Sequence, residues 1–121
     1  MKRIFATALA VGTLSLAGLP AAAQEPDKAL VDAGKKTYAK HDCSKCHRIG
    51  RVGAKKGPLD GVATKLTADE IRKWLTVPAE MEAKMEEPPE GTNSMANKLE
   101  KKALTPEEVD ALAAYMLTLK K

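Results

Sequence analysis

Two cysteines and a histidine stand close together in the run Cys43-Ser44-Lys45-Cys46-His47. Two thiols separated by two residues in a tight turn can each add to one vinyl group of the same porphyrin and form two thioethers. The histidine that follows is then carried beneath the iron, where a ring nitrogen can bind as the proximal ligand. This C-x-x-C-H spacing predicts one covalently attached haem c, with Cys43 and Cys46 as attachment residues and His47 as a ligand of the iron.

Three other kinds of site could use the same side chains. A thioredoxin-like redox pair needs a βαβ context, which this chain lacks, and has no need of the histidine. A zinc site could combine His41 with the three residues of the motif, but closed structural zinc sites normally take their ligands from two separated pairs. A plain disulfide would close a very short loop and would constrain the unfolded chain little.

A distal ligand would have to reach the iron from the face opposite His47. His41 lies too near the attachment residues for this, and no histidine follows His47. Thioether sulfur is the remaining strong donor, and it occurs downstream at Met81, Met85, Met95 and Met116.

The surroundings of these methionines differ. Met116 belongs to an apolar helical stripe, which favours a place in the core. Met81 and Met85 are four residues apart in an acidic stretch, where they could bind the iron or fill gaps in the core. Met95 follows the extended loop 88–94 and stands ten residues before the cap of the last helix. The pattern alone leaves Met81, Met85 and Met95 open as distal ligands.

The N-terminus predicts export. Lys2 and Arg3 precede an apolar stretch over residues 4–19, and Ala21-Ala22-Ala23 offers a small-residue cleavage site. Residues 1–23 are therefore predicted to be a signal peptide and residues 24–121 a mature domain of 98 residues. An uncleaved membrane anchor is the alternative, but the stretch falls short of the roughly 20 apolar residues that a span needs.

Length and charge limit the kinds of function. A chain of 121 residues allows one small domain and excludes a large multi-domain enzyme. Without the signal peptide the net charge is +2, which gives no support for bulk nucleic-acid binding. The whole chain has only four aromatic side chains, so few are available to fill a core, and a bound group could complete the interior. No Ser-His-Asp set and no phosphate-binding loop is present.

Three helices are expected to position the motif. In the first, over residues 27–41, Leu30, Gly34 and Tyr38 recur on one face. A glycine inside a helix costs about 1 kcal/mol relative to alanine, so Gly34 indicates a close crossing with another helix.

Two T-x-x-E capping boxes mark the starts of the other two helices. The box at residues 67–70 begins a middle helix that ends at Val77-Pro78, and the box at residues 105–108 begins the last helix. Trp74, in the middle helix, is the only tryptophan, and its indole would either pack in the core or donate to a haem propionate. The last helix carries an apolar stripe made of Leu112, Tyr115, Met116 and Leu119.

The order of these parts resembles that of class I, single-haem c-type cytochromes, over essentially the whole chain after residue 23. The resemblance implies an all-α, small cytochrome c-like fold, in which the N- and C-terminal helices cross and haem fills the core. It also implies that Gly34 and Tyr38 pack against the last helix.

For the haem pocket, the resemblance implies particular residues. It places the axial methionine at Met95, although the flanking Ser94 and Ala96 are not the lysine, proline or phenylalanine often found there. It also implies that Pro58, in the segment Gly57-Pro58-Leu59, supplies the carbonyl that accepts a hydrogen bond from His47.

His/Met ligation implies an electron carrier and not an enzyme. Both axial positions are then filled, and one-electron exchange is the chemistry that remains. The alternative is a haem enzyme or gas sensor with a five-coordinate iron.

The distribution of charge predicts the kind of partner. Residues 28–73 carry a net charge of +7, whereas residues 74–97 carry −4. If the basic side surrounds the haem edge, it would steer redox proteins with acidic docking faces into brief complexes. We expect a soluble, exported periplasmic monomer of a bacterium, with no nucleic-acid partner and no membrane insertion after cleavage.

Overall fold

The computed structural model describes residues 25–121. The predicted signal peptide, residues 1–23, lies outside the described residues. In the described part, two short antiparallel strands, β1 (Arg48–Ile49) and β2 (Val52–Gly53), form the one sheet. The α-helices of this part are α1 (Lys28–Lys40), α2 (Val62–Lys65), α3 (Ala68–Thr76), α4 (Pro78–Glu82), α5 (Met95–Glu100) and α6 (Pro106–Met116). The all-α class is therefore confirmed, with the small hairpin as an addition.

Helix α1 agrees with its predicted bounds. It begins after Asp27, whose carboxylate accepts hydrogen bonds from the backbone N–H groups of Ala29 at 2.7 Å and Leu30 at 3.4 Å. It ends at Lys40 with His41 as its C-cap, and Asp42 then takes the left-handed backbone conformation, with φ 54°. That sharp change of direction carries the chain out of α1 and directly into the cysteine turn.

Helices α1 and α6 cross at Gly34, as predicted. A Cβ atom added to Gly34 would overlap the carbonyl oxygen of Ala111 and would lie 2.7 Å from the Cβ of Tyr115. Next to the crossing, the rings of Tyr38 and Tyr115 meet edge to face, with centroids 5.9 Å apart. Gly34 is required because the two backbones approach too closely for any side chain.

Both predicted capping boxes are confirmed. The Thr67 hydroxyl accepts from the Glu70 N–H at the start of α3, and Thr105 does the same for Glu108 at the start of α6. Each glutamate carboxylate accepts in return from the backbone N–H of the capping threonine, so the first turn of both helices is fixed locally. In α6 most side chains are then buried, namely Val109, Ala111, Leu112, Ala113, Ala114 and Met116.

The buried core is small and lies between α3 and α6. Ile71, Ala113 and Met116 form its centre. Half-buried apolar side chains from α1, β1, α2 and the segments around them surround this centre, among them Tyr38, Ile49, Leu59, Val62, Leu66, Leu75, Tyr115, Leu117 and Leu119. None of the helices in residues 25–121 is both long and apolar enough to cross a membrane.

The connection between α3 and α6 is more helical than the sequence pattern predicts. Pro78 starts α4 at the first helical position, where its fixed φ suits a helix and its missing N–H is not needed. Helix α4 ends at Glu82, so it includes Met81 but not Met85. Met95, which directly follows the loop 88–94, is the first residue of α5, and Ser94 caps this helix.

Candidate haem-attachment site

The two cysteines stand at either end of one 3₁₀ turn, since Cys43 begins the turn Cys43–Lys45 and Cys46 is its C-cap. The backbone N–H groups of Cys46 and His47 both donate to the Cys43 carbonyl, at 3.1 and 2.9 Å. Cys43 is half-buried, Cys46 is exposed, and both thiols are free. The turn therefore holds two unpaired thiols and the histidine within one compact unit, as double attachment to one porphyrin requires.

The environment of Cys43 differs from that of a redox-active thiol. Burial raises the pKa of the Cys43 thiol, and the positive charge of Lys102 opposes this only in part. Reactive cysteines of the thioredoxin type depend on a lowered pKa. His41, the fourth donor of the zinc alternative, lies beside Glu108, with its Nε2 atom 3.2 Å from the Oε1 atom of that residue.

The ring of His47 is oriented by one backbone carbonyl. Its Nδ1 atom lies 3.1 Å from the Gly57 oxygen, and burial lowers the pKa of His47, partly offset by this hydrogen bond. A neutral imidazole that donates from Nδ1 has its free electron pair on Nε2, which is the form that binds a metal.

The expected role of Pro58 in this hydrogen bond is wrong, because the acceptor is the preceding residue. A Cβ atom on Gly57 would overlap the Cys46 carbonyl oxygen and would lie 3.0 Å from the Nδ1 atom of His47. The loop can press its backbone against the ring only with glycine at this position. The exposed Pro58 lies instead beside Arg48 in an isolated parallel bridge.

Tyr38 connects the helix crossing to the motif. Its hydroxyl donates to the His47 carbonyl at 3.3 Å. Burial raises the pKa of Tyr38 to about 12, so the phenol stays protonated and able to donate near neutral pH. Tyr38 was expected to pack against α6, and this second contact was not evident from the sequence.

The methionines occupy different environments. Met116 is buried in the core, and Met85 is 46% exposed. Met81 and Met95 are both half-buried, the first inside α4 and the second at the start of α5. Trp74 is half-buried on α3.

Two residues near Met95 were missed. Glu82 and Ser94 are both buried, and the Glu82 carboxylate accepts hydrogen bonds from the Ser94 hydroxyl and from the Met95 N–H. Serine is a preferred N-cap residue, so Ser94 alone was a readable capping signal for α5. Glu82 had no local signal, since it is one of several glutamates in the acidic stretch.

The donor set fits haem c. Two free thiols on one turn match the two vinyl groups, and the adjacent imidazole presents its metal-binding nitrogen in a fixed orientation. The small core and the scarcity of aromatic side chains agree with a domain that packs around a large apolar group.

Comparison with known proteins gives one match. The family described as Cytochrome c matches residues 31–120, a range that includes the whole motif and extends from α1 to beyond α6. No curated protein and no solved structure matches the chain. The match covers far more than half of the sequence and agrees with the fold and with the donor set. The chain therefore belongs to the cytochrome c family, with covalently bound haem c as cofactor and haem-based electron transfer as its chemistry.

Proposed function

We propose that this protein is a non-enzymatic, one-electron carrier with a single haem c whose iron is bound by His47 and Met95. The observation that carries the proposal is the hydrogen bond between the Nδ1 atom of His47 and the Gly57 carbonyl, beside two free thiols. When bound, the haem supplies reversible one-electron exchange. The chain's own residues hold the histidine neutral and fixed in orientation, which limits structural change during that exchange.

Met95 is the favoured distal ligand for reasons of placement. Met116 belongs to the core of α6, and Met85 is too exposed for a ligand held in a water-poor pocket. Met95 is half-buried, and its backbone is held by Glu82 through a hydrogen bond of 2.6 Å. Met81 is the alternative, since it is also half-buried.

We further propose a class I cytochrome of a bacterium, exported to the periplasm as a soluble monomer. The charged N-terminus, the apolar stretch and the small-residue cleavage site support export. Redox partners with acidic docking faces are supported by the charges near the attachment turn, where Lys45 lies on the turn and Lys102 is close enough to affect the pKa of Cys43. Their association rates should fall with added salt.

The ligand assignment is tested by comparing Met95→Ala with Met85→Ala and Met81→Ala. A thioether bound to ferric iron gives a weak near-infrared absorption band. In Met95→Ala we expect this band to disappear, the reduction potential to fall by a sizeable part of the about 0.8 V range that axial ligands span, and the ferrous protein to bind carbon monoxide rapidly.

The two other variants should keep the band and the potential of the parent protein. Loss of the band in Met81→Ala, with the band kept in Met95→Ala, would move the ligand to Met81. A parent protein that lacks the band and binds carbon monoxide rapidly would contradict the carrier and favour a five-coordinate enzyme or sensor.

A further inference from the structure

Glu82 is a buried acidic residue, and the haem-attachment site does not explain why it is buried. The residue is 7% exposed, and in residues 25–121 no lysine, arginine or histidine lies within ion-pair distance of it. Burying an unpaired carboxylate is costly unless hydrogen bonds replace the water that it loses. Its partners therefore show what its burial achieves.

In the described residues, all of the hydrogen bonds that the Glu82 carboxylate accepts come from the start of α5. The Oε1 atom accepts from the backbone N–H groups of Met95 at 2.6 Å and Ala96 at 3.1 Å. The Oε2 atom accepts from the hydroxyl of Ser94 at 2.9 Å, and that hydroxyl accepts in turn from the Asn97 N–H at 3.2 Å. One side chain at the end of α4 thus fixes three consecutive residues that lie 12 to 14 positions further along the chain.

We propose that Glu82 is the positioning residue for the distal ligand: its carboxylate accepts from the Ser94 hydroxyl and from the backbone N–H groups of Met95 and Ala96, and this clamp holds the Met95 sulfur at the iron. The inference rests on the proposed function, because it takes Met95 as that ligand. Apolar packing contributes little to holding the segment around Met95 in place, since between residues 83 and 103 only Ser94 is buried.

The three hydrogen bonds use both oxygens of the Glu82 carboxylate. A carboxylate offers two oxygen acceptors, whereas the amide of glutamine offers only one. Removing the carboxylate therefore loosens the ligand, whereas replacing it by an amide of the same shape keeps part of the clamp.

The experiment compares Glu82→Ala, Glu82→Gln and Ser94→Ala in the haem-loaded protein, with Glu86→Ala as control. Glu86 is an exposed residue of the same acidic stretch, so its substitution removes the same charge. The measurements are the near-infrared band of the ferric protein, the rate at which cyanide displaces the distal ligand, and amide hydrogen exchange at residues 95 and 96.

In Glu82→Ala we expect a weakened band, cyanide binding faster by about tenfold or more, and amide exchange at residues 95 and 96 faster by a similar factor. Glu82→Gln and Ser94→Ala should show smaller changes in the same direction, and Glu86→Ala none. If Glu82→Ala fails to fold, the Glu82→Gln and Ser94→Ala variants test the positioning role of Glu82 with the same measurements.

An unchanged band and an unchanged cyanide rate in the folded Glu82 variants would overturn the proposal. If Met95→Ala itself keeps the band, the ligand assignment has failed, and hydrogen exchange then tests the clamp by itself. Exchange at residues 95 and 96 that is unaffected by all three substitutions would overturn the clamp as well.

Discussion

The crossing of α1 and α6 and the segment 83–103 are held in different ways. At the crossing, Gly34 brings two backbones into contact, and α6 buries side chains on most of its surface. In the segment 83–103, Ser94 is the one buried residue, and the Glu82 carboxylate accepts hydrogen bonds from its hydroxyl and from the Met95 N–H. The first region is held by packing and the second by a few hydrogen bonds.

The two regions contribute to different sides of the proposed haem site. The packed region reaches the proximal side, because Tyr38 in α1 donates to the His47 carbonyl. The hydrogen-bonded segment carries Met95, the proposed distal ligand. Regions with few buried apolar contacts open at lower free-energy cost than packed ones, so the distal ligand should be the more easily exchanged of the two.

The largest effect is expected from the attachment cysteines, which lie on the turn that directly follows α1. Cys43→Ala or Cys46→Ala should leave one thioether, and the double variant should release all haem when the protein is denatured. Mass spectrometry after denaturation and the spectrum of the reduced protein report this directly. Two intact thioethers in either single variant would refute the assignment of these residues.

Gly34→Ala tests the packed region. Alanine would gain about 1 kcal/mol of helix propensity, but its Cβ atom would overlap the Ala111 carbonyl. Overpacking of this kind costs about 1–3 kcal/mol or more, so the clash should prevail. We expect the thermal midpoint to fall by about 4–8 °C for each kcal/mol lost, whereas Lys36→Ala at an exposed position of α1 should change it little. Equal midpoints for Gly34→Ala and the parent would show that the crossing does not hold the domain together.

A smaller, pH-dependent effect is expected where α1 meets the start of α6. The Nζ atom of Lys40 lies 2.6 Å from the Oε1 atom of Glu108. This contact, with the Thr105 N–H and His41, lowers the pKa of Glu108 from 4.5 to about 2. A carboxyl group with a lowered pKa stabilises the fold above its ordinary value and ceases to do so as the pH falls through the folded-state value.

Glu108→Gln should therefore lower the thermal midpoint modestly at neutral pH, and the difference from the parent should vanish between about pH 4.5 and pH 2. Glu107→Gln is the matched control, since Glu107 is an exposed neighbour in the same helical turn. A pH-independent difference, or one shared by the control, would show that the ion pair contributes nothing specific.

The parts of the fold with local signals could be predicted. Thr67 and Thr105 each stand three residues before a glutamate, and both helix starts followed from that spacing. Gly34 inside a periodic helix indicated the crossing, and the C-x-x-C-H motif indicated the attachment turn. In each case the residues that decide the structure lie within about eight positions of one another.

The parts of the structure that depend on contacts between distant residues could not be predicted from the sequence. Whether Gly57 or Pro58 supplies the carbonyl depends on how the loop folds back onto the His47 ring. Glu82 looks like any residue of an acidic stretch, and its burial depends on how α4 packs against α5. Polar side chains buried by tertiary contacts leave no periodic pattern in the sequence, so the structure was needed to find them.

The central claim is that one haem is attached covalently through two thioethers. It is tested most directly on the protein without any substitution. Material purified from a host that matures c-type cytochromes should have, after denaturation, the mass of the polypeptide plus one haem, and its reduced spectrum should be that of a haem with two thioether bonds. A well-folded, colourless protein with the mass of the polypeptide alone would contradict the account.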